Sequence, residues 1–439
     1  MTYLDAIRDA YQDPRELETL FQAARKDNGV EAFSADLEVC YGEASDNLLY
    51  AAWHYRLQAM LHEEPARRTG IPWRLALPIS IAAGLTLWLL SEPELQIMGN
   101  RQVLTLYGIP IVILFALAYL TLGAGQITRR ATAAGIGVIA ACLYVPLVVS
   151  ARDVVYQGHY ATLASVHLPI LAWAAVVVGV LGFCSPTGER FAFLLKSFEV
   201  IVTAGIFLIG GAIFVQVTLS LFWALDIQIP DAVQRLLITG VLGPIALLAL
   251  ASVYDPRLRP LAQDFKAGLA RLIATLARLL LLPTLIVLAI YIFAILSNFE
   301  EPFKNRDVLG IYHAMLFAVL ALLLGATPMQ ENDLPTRFRP ALRAGVVAVA
   351  GLAALVGLYA LAAIVYRTLQ DVLTMNRLAL IGWDVINVLI LATLISRQYA
   401  LGRLGRGWVQ AVQNTFALGM IGYAAWAAFV IVAVPIVIR

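Results

Sequence analysis

Apolar runs long enough to cross a lipid bilayer recur from residue 71 to the end of the chain. About 20 helical residues cover the roughly 30 Å of hydrocarbon in a membrane. Each run ends at charged residues or at Pro, Gly or Asn. The pattern predicts eleven membrane-spanning helices, near residues 71–91, 103–123, 131–151, 163–184, 198–225, 235–254, 279–298, 308–327, 342–366, 377–396 and 412–438.

Residues 1–69 follow a different pattern and hold 13 of the 29 acidic residues. Asp13-Pro14 predicts one helix start, and the Ser45-Asp46-Asn47 stretch can cap another helix. We expect two or three amphipathic helices that bury little surface alone. They would pack on the membrane domain, on a second copy or on a partner. The predicted domains are therefore a cytosolic helical segment, 1–69, and a polytopic transmembrane domain, 70–439. Apolar residues at helical spacing support these helices, namely Leu17, Leu20, Phe21 and Ala24, then Leu48, Leu49, Trp53 and Leu57.

The distribution of positive charge tests the number of spans. With the N-terminus in the cytoplasm, the inner loops and flanks hold 18 basic residues and the outer ones hold 8. Inner loops of membrane proteins carry an excess of Lys and Arg. One span more or fewer would break this alternation downstream. The sequence thus predicts an all-α integral membrane protein with about eleven spans, its N-terminus inside and its C-terminus outside.

Composition narrows the class further. Hydrophobic residues make up 61% of the chain and charged residues 14%, against roughly 25% charged in an average soluble domain. No basic stripe with interleaved aromatics is present, so we expect no nucleic-acid partner. Arg outnumbers Lys 27 to 4, which favours a GC-rich bacterial genome. The expected location is the bacterial inner membrane, with membrane lipids as partners.

Motifs for a named chemistry are absent from the sequence. There is no GxxxxGK[ST], HExxH or GxSxG, and the three cysteines form no CxxC pair. We therefore expect no metal and no cofactor. The absence of a catalytic motif favours a protein that is not an enzyme.

Residues 258–278 allow two interpretations. Leu261, Leu269 and Leu276 fall on one helical face with basic residues elsewhere, which is typical of an amphipathic helix in the membrane interface. The alternative is a charged extension of the span that follows.

The sharpest signal is charge inside a span, because an ionised side chain there costs a few kcal/mol. Asp384 lies seven residues past Arg377, roughly 10 Å along a helix. Asn387 shares its face, and Arg377 lies on nearly the same stripe. We expect this stripe to face the bundle interior or a water-filled cavity.

Other polar residues in the spans have more modest predicted roles. Lys196 and Glu199 would snorkel together to the interface. Gln216 would join neighbouring helices or line a polar path. His167 is expected to be a satisfied interhelical residue, and a proton relay from His313 to Asp384 is a further hypothesis.

The polar connection Tyr366–Arg377 also has two interpretations. One is a hairpin capped by Thr374 or Asn376 and held by salt bridges. The other is an anion or headgroup site formed by Arg367, Arg377 and a helix N-terminus. With Asp384 and Asn387, these residues complete the candidate functional cluster: Tyr366, Arg367, Thr374, Asn376, Arg377, Asp384 and Asn387.

This connection resembles a block in a bacterial polytopic membrane family, domain of unknown function 4153. The block reads Tyr-Arg, then Gly-Leu-Thr-x-Asn-Arg, and here it is Tyr366-Arg367 followed by Leu373-Thr374-Met375-Asn376-Arg377. Val372 stands at the position of the family's Gly. The resemblance implies a multi-span architecture and brings no activity with it.

Three classes of function remain open. The leading one is a scaffold or regulatory membrane component with residues 1–69 as the part that docks a protein partner. A transporter with a polar site near Asp384 is the first alternative. The second is a membrane enzyme that acts on a lipid-linked substrate at the outer face.

Overall fold

The computed structural model describes residues 3–26, 29–62, 71–304, 306–402 and 405–438. The chain divides into two compact units, Met1–Arg68 and Thr69–Arg439. The predicted boundary, between residues 69 and 70, falls outside the described residues.

In its described residues, the first unit has four helices: α1 Leu4–Asp9, α2 Pro14–Lys26, α3 Val30–Glu43 and α4 Leu48–His62. Asp13 caps α2 as predicted, because its Oδ1 accepts hydrogen bonds from the N–H groups of Arg15 at 2.9 Å and Glu16 at 3.2 Å. Asn47 caps α4 in the same way, with its Oδ1 2.8 Å from the N–H of Leu49. The cap predictions are confirmed.

The four helices enclose a core of their own. The rings of Phe21 and Trp53 lie 5.2 Å apart, and the Tyr50 hydroxyl donates to the carbonyl of Ile7 at 2.8 Å. Four helices form where two or three were expected, and all four contribute to this core, so the expectation that they bury little surface alone was wrong. The buried residues are Ile7, Ala10, Leu17, Phe21, Ala24, Phe33, Leu37, Cys40, Tyr50, Trp53 and Leu57.

Within the described part of the second unit, eleven helices are long and apolar enough to cross a membrane. This confirms the predicted number, and the chain is a multi-span helical membrane protein. Short helices, two turns of 3-10 helix, one π-helical turn and one small hairpin complete the described part of the unit. The elements are α5 Trp73–Leu90, β1 Gln96–Ile97, β2 Arg101–Gln102, α6 Val103–Gly123, α7 Arg129–Val148, α8 Val154–Leu181, α9 Thr187–Ala224, α10 Asp231–Arg235, a π-helical turn Leu236–Val241, α11 Leu242–Val253, a 3-10 turn Pro260–Ala262, α12 Gly268–Ser297, α13 Glu301–Lys304, α14 Arg306–Ala326, a 3-10 turn Glu331–Asp333, α15 Arg339–Gln370, α16 Met375–Ala400, α17 Trp408–Val432 and α18 Val434–Val437.

The connections between spans gather at two ends of the bundle. One end, here the Arg377 end, includes the connections 91–102, 298–304 and 371–374 and the last described residue, Ile438. The other, the Arg343 end, includes the connections 254–267 and 327–338. Arg343 ties two helices together there, because Nε donates to Gln398 Oε1 at 3.0 Å and Nη2 donates to the Gln398 carbonyl at 2.6 Å.

Helices α16 and α17 join the two halves of the membrane unit. Ile390 and Leu394 of α16 pack into a core built with α12, α14 and α15. Met375 and Ala379, nearer the start of α16, pack instead into a core built with α6, α7 and α8. One helix thus belongs to both cores, and its polar residues lie where the halves meet.

The structure corrects the prediction for residues 258–278. A 3-10 turn over Pro260–Ala262 is followed by non-helical residues 263–267, and α12 begins at Gly268. No single helix covers this described segment, so the interfacial-helix interpretation was wrong. Residues 268–278 form the charged start of the span. The Asp264 carboxylate interrupts the helical pattern, since its Oδ1 accepts from the N–H of Lys266 at 2.8 Å.

Gly382 allows the close approach of α16 to α17. A Cβ at this position would lie 1.9 Å from the Trp426 ring. That ring is held in place, because its Nε1 donates to the Ala379 carbonyl at 3.3 Å and it stacks on Phe429 at 5.1 Å. We predict that Gly382→Ala destabilises the protein by about 1–3 kcal/mol through overpacking.

The thermal unfolding midpoint of the purified protein in detergent measures this effect. Gly351→Ala in α15 is the matched control, because nothing lies within 4 Å of a Cβ added there. The control should unfold at the wild-type temperature or slightly above, since Ala favours helix over Gly. Equal midpoints for the two variants would contradict the predicted close packing.

Candidate functional site

The first turn of α16 begins as predicted. The Thr374 Oγ1 accepts a hydrogen bond from the N–H of Arg377 at 3.3 Å, so Thr374 is the N-cap. The N-terminus of α16 therefore points into the connection that precedes it, at the Arg377 end of the bundle.

Arg377 holds that connection together. Its Nη2 lies 2.7 Å from Asp371 Oδ2, and its Nη1 donates to the carbonyls of Val372 at 3.0 Å and Arg367 at 3.3 Å. The capped, salt-bridged hairpin is confirmed. Because Asp371 offsets its charge, Arg377 acts here mainly as a brace for the loop.

Arg367 has a different environment. Its Nη1 is buried and has no hydrogen-bond partner among the described residues. It lines a cavity of about 810 Å³ together with His159, Thr374, Asn376 and Arg377. The structure thus brings most of the predicted loop residues to one cavity, and no carboxylate is among its described lining residues.

Tyr366 is not part of this cavity wall. Its side chain is half-exposed, and its ring packs against Phe303 with centroids 5.4 Å apart. Packing against Phe303 is enough to explain the position of Tyr366, unlike that of the other residues in the predicted cluster.

A second polar group lies deeper along α16. Asp384 and Asn387 have 0% exposed surface. Asp384 Oδ2 is 3.1 Å from Nε2 of His313 on α14, and Asn387 Oδ1 accepts from the Tyr423 hydroxyl of α17 at 2.6 Å. The structure therefore brings His313 and Asp384 together, and the proton relay itself stays a prediction.

Hydrogen bonding in this group is incomplete. Both carboxylate oxygens of Asp384 and Nδ2 of Asn387 lack an aligned hydrogen-bond partner in the described part of the chain. The contact with His313 is within ion-pair distance but is poorly aligned for a hydrogen bond. Buried groups of this kind are costly, so they are concentrated at sites that use them.

Asp384 and Asn387 face the bundle interior, as predicted, but Arg377 does not join them in one site. The Arg377 guanidinium turns back to its own loop, while Asp384 faces His313 with no exposed surface. Seven residues of helix place them about 10 Å apart along the axis. The candidate cluster is therefore two groups, one in a cavity and one in a closed core.

Trp383 and Tyr423 were missed by the sequence analysis. Trp383 Nε1 donates to Nε2 of His167 at 3.0 Å, and the opposite nitrogen of His167 contacts the Leu163 carbonyl at 2.8 Å. His167 is thus satisfied between helices, as predicted. Aromatic residues in apolar spans give no periodic signal, so only the fold could assign these partners.

Two predicted roles elsewhere were wrong. Gln216 is exposed on the surface of α9, with Nε2 3.4 Å from Ser220 Oγ, and lines no path with Asp384. Lys196 and Glu199 do pair at 2.7 Å, but both are buried rather than snorkelled. Residues 263–267 cover the pair. Lys196 Nζ also donates to the Asp264 carbonyl and lies 4.8 Å from the centre of the Phe265 ring.

The fold and these sites define a multi-span helical membrane protein. Among the described residues, no cluster of three or more His, Cys, Asp or Glu could hold a metal ion. Compared with protein-family models, curated proteins and solved structures, the chain matches none. The resemblance to domain of unknown function 4153 therefore stays a prediction.

The contact between His313 and Asp384 gives a quantitative prediction. His313→Leu should destabilise the protein by about 3–5 kcal/mol, because it leaves a buried carboxylate without its partner. The double variant His313→Leu/Asp384→Leu should recover at least about 1 kcal/mol of that loss. Unfolding free energies from denaturing-detergent titration of the purified protein measure both.

Gln216→Leu serves as the control, since this exposed position should change stability by less than about 0.5 kcal/mol. If the costs of His313→Leu and Asp384→Leu simply add in the double variant, the two side chains are not coupled and the predicted contact is absent.

Proposed function

We propose that this protein is a scaffold or regulatory component of the bacterial inner membrane, with residues 1–69 as its cytosolic docking part. The observation that carries the proposal is the self-contained core of the first unit. A helical unit that buries its own apolar residues has its surface free for a partner.

The surface of α4 supports a docking role. Leu48 is 86% exposed and Tyr55 63% exposed, and Ala52 between them is also exposed. Spacings of four and three residues place the three on one helical face. An exposed apolar stripe along one helix is the kind of surface that binds another helix.

The orientation is part of the proposal. The excess of basic residues in the loops of the Arg343 end favours that end as cytoplasmic. The Arg377 end and the C-terminus would then face outward. The predominance of Arg over Lys in the whole sequence supports a bacterial origin.

The closed position of Asp384 favours a scaffold over a transporter. A transport site needs water or substrate access from at least one side of the membrane. Asp384 and Asn387 have no exposed surface.

Transport is the second candidate function, and one observation favours it. The Asp384 oxygens lack aligned hydrogen bonds among the described residues, and intramembrane carboxylates often belong to ion or proton pathways. The enzyme alternative ranks last. Its expected cavity contains Arg367 and Arg377, but no carboxylate is among the described residues that line it.

Thiol labelling tests both the orientation and the closed position. In a variant without Cys40, Cys142 and Cys184, we expect a single Cys at Glu300 to react with a membrane-impermeant reagent added to intact cells. The Glu300 side chain is 76% exposed. A Cys at Arg337, exposed at the opposite end, should react only after the cells are opened.

A Cys at Asp384 should stay unlabelled under both conditions. Labelling of position 384 from either side would reveal a water path and move transport ahead of the scaffold proposal. Exchanged behaviour of positions 300 and 337 would reverse the proposed orientation.

Site-specific photocrosslinking in the native host tests the docking role. A photoreactive residue at Ala52 should give one discrete crosslinked species heavier than the chain itself. The same residue at Val39, exposed on α3, serves as the matched control and should give much less. Equal yields at the two positions would remove the specific support for α4 as a docking face.

A further inference from the structure

Two cavities adjoin along the first half of α16. The cavity lined by Arg367 has a volume of about 810 Å³. A second cavity of about 670 Å³ lies beside it. Asn376 and Leu380 line both, so the two cavities lie against the same turn of α16. Both volumes fall within the roughly 300–1,000 Å³ of typical ligand sites.

The first cavity has the chemistry of an anion site. Arg367 supplies a cation whose buried Nη1 has no hydrogen-bond partner in the part of the chain that the structure describes, and Asp371 already pairs with Arg377. Thr374 and Asn376 place the N-terminus of α16 on the same wall. A helix N-terminus and an uncompensated guanidinium together favour a phosphate-like group.

The second cavity is almost entirely apolar. Val166 and Ile170 of α8 form one side, Phe317 and Ala321 of α14 form another, and Trp383 lies on its inner wall. It follows α16 from Asn376 to Ile390, which is about 21 Å of helix. That length exceeds half of the roughly 30 Å hydrocarbon layer, so the cavity can hold a chain that reaches through one leaflet.

We propose that the two cavities form one binding site for a phospholipid with an anionic headgroup. The phosphate lies at Arg367 and the N-terminus of α16, and one acyl chain occupies the apolar cavity. A free anion would use only the polar half. The site commits to a lipid because an apolar cavity of comparable size lies directly beside the charged one and shares Asn376 and Leu380 with it. This inference does not depend on the proposed scaffold function.

Native mass spectrometry of the purified full-length protein measures the affinity of the first bound lipid. We expect phosphatidylglycerol to bind at least tenfold more tightly than phosphatidylcholine with the same acyl chains. Arg367→Gln should weaken phosphatidylglycerol about tenfold, the effect of losing one hydrogen bond to a charged group. Arg235→Gln is the matched control, since Arg235 lies at the same end outside both cavities and pairs with Glu92.

A second variant separates a lipid from a free anion. Ala321→Phe narrows the apolar cavity and should weaken phosphatidylglycerol several-fold, while millimolar inorganic phosphate should fail to displace the lipid from the wild-type protein. The lipid proposal is overturned if phosphate displaces it and Ala321→Phe changes nothing. Equal losses for Arg367→Gln and Arg235→Gln would also overturn it.

A measurement on the wild-type protein alone covers the case in which a variant fails to fold. Phosphatidylglycerol with a photoreactive acyl chain should label α14 and α16 beside the apolar cavity. That label should survive an excess of phosphatidylcholine, whereas label on the exposed face of α9, around Phe214 and Leu221, should be lost. Loss of label from both surfaces alike would refute the site.

Discussion

A polar group inside the hydrocarbon of a membrane has no water to bind, so it must find its partner within the protein. The hydroxyls in the spans meet this constraint locally. Those of Thr121, Thr203 and Thr415 donate to the carbonyl four residues earlier in their own helices. Larger polar side chains reach across helices, as the Tyr160 hydroxyl does to the Ile431 carbonyl at 2.5 Å. The bundle is arranged so that these partners meet.

Helix α16 concentrates this constraint. Thr374 caps it, Gly382 lets it approach α17, and Asp384 and Asn387 face partners on α14 and α17. Because the same helix packs into both cores of the membrane unit, a shift of α16 would disturb the polar contacts and the apolar packing together. The cavity with Arg367 and the closed group around Asp384 therefore both depend on the position of this one helix.

Local patterns carried most of the successful predictions. Asp13, Asn47 and Thr374 cap helices because the cap depends on residues two or three positions away. Arg377 pairs with Asp371 six residues earlier for the same reason. The predictions that failed depended on contacts with residues far away in the sequence. Lys196 was predicted to snorkel to the interface. Its ammonium group is instead covered by Asp264 and the loop around it, 68 residues further along the chain.

The sequence by itself determined the class of protein and the number of spans in the described chain, because apolar run length and loop charge are local properties that lipid enforces directly. It also singled out Asp384 as an unusual residue. Only the tertiary structure decided what these residues do to one another. His167 meets Trp383 across 216 residues and Tyr423 meets Asn387 across 36. Such partners depend on which helices become neighbours, and apolar spans of similar composition contain no local signal for that choice.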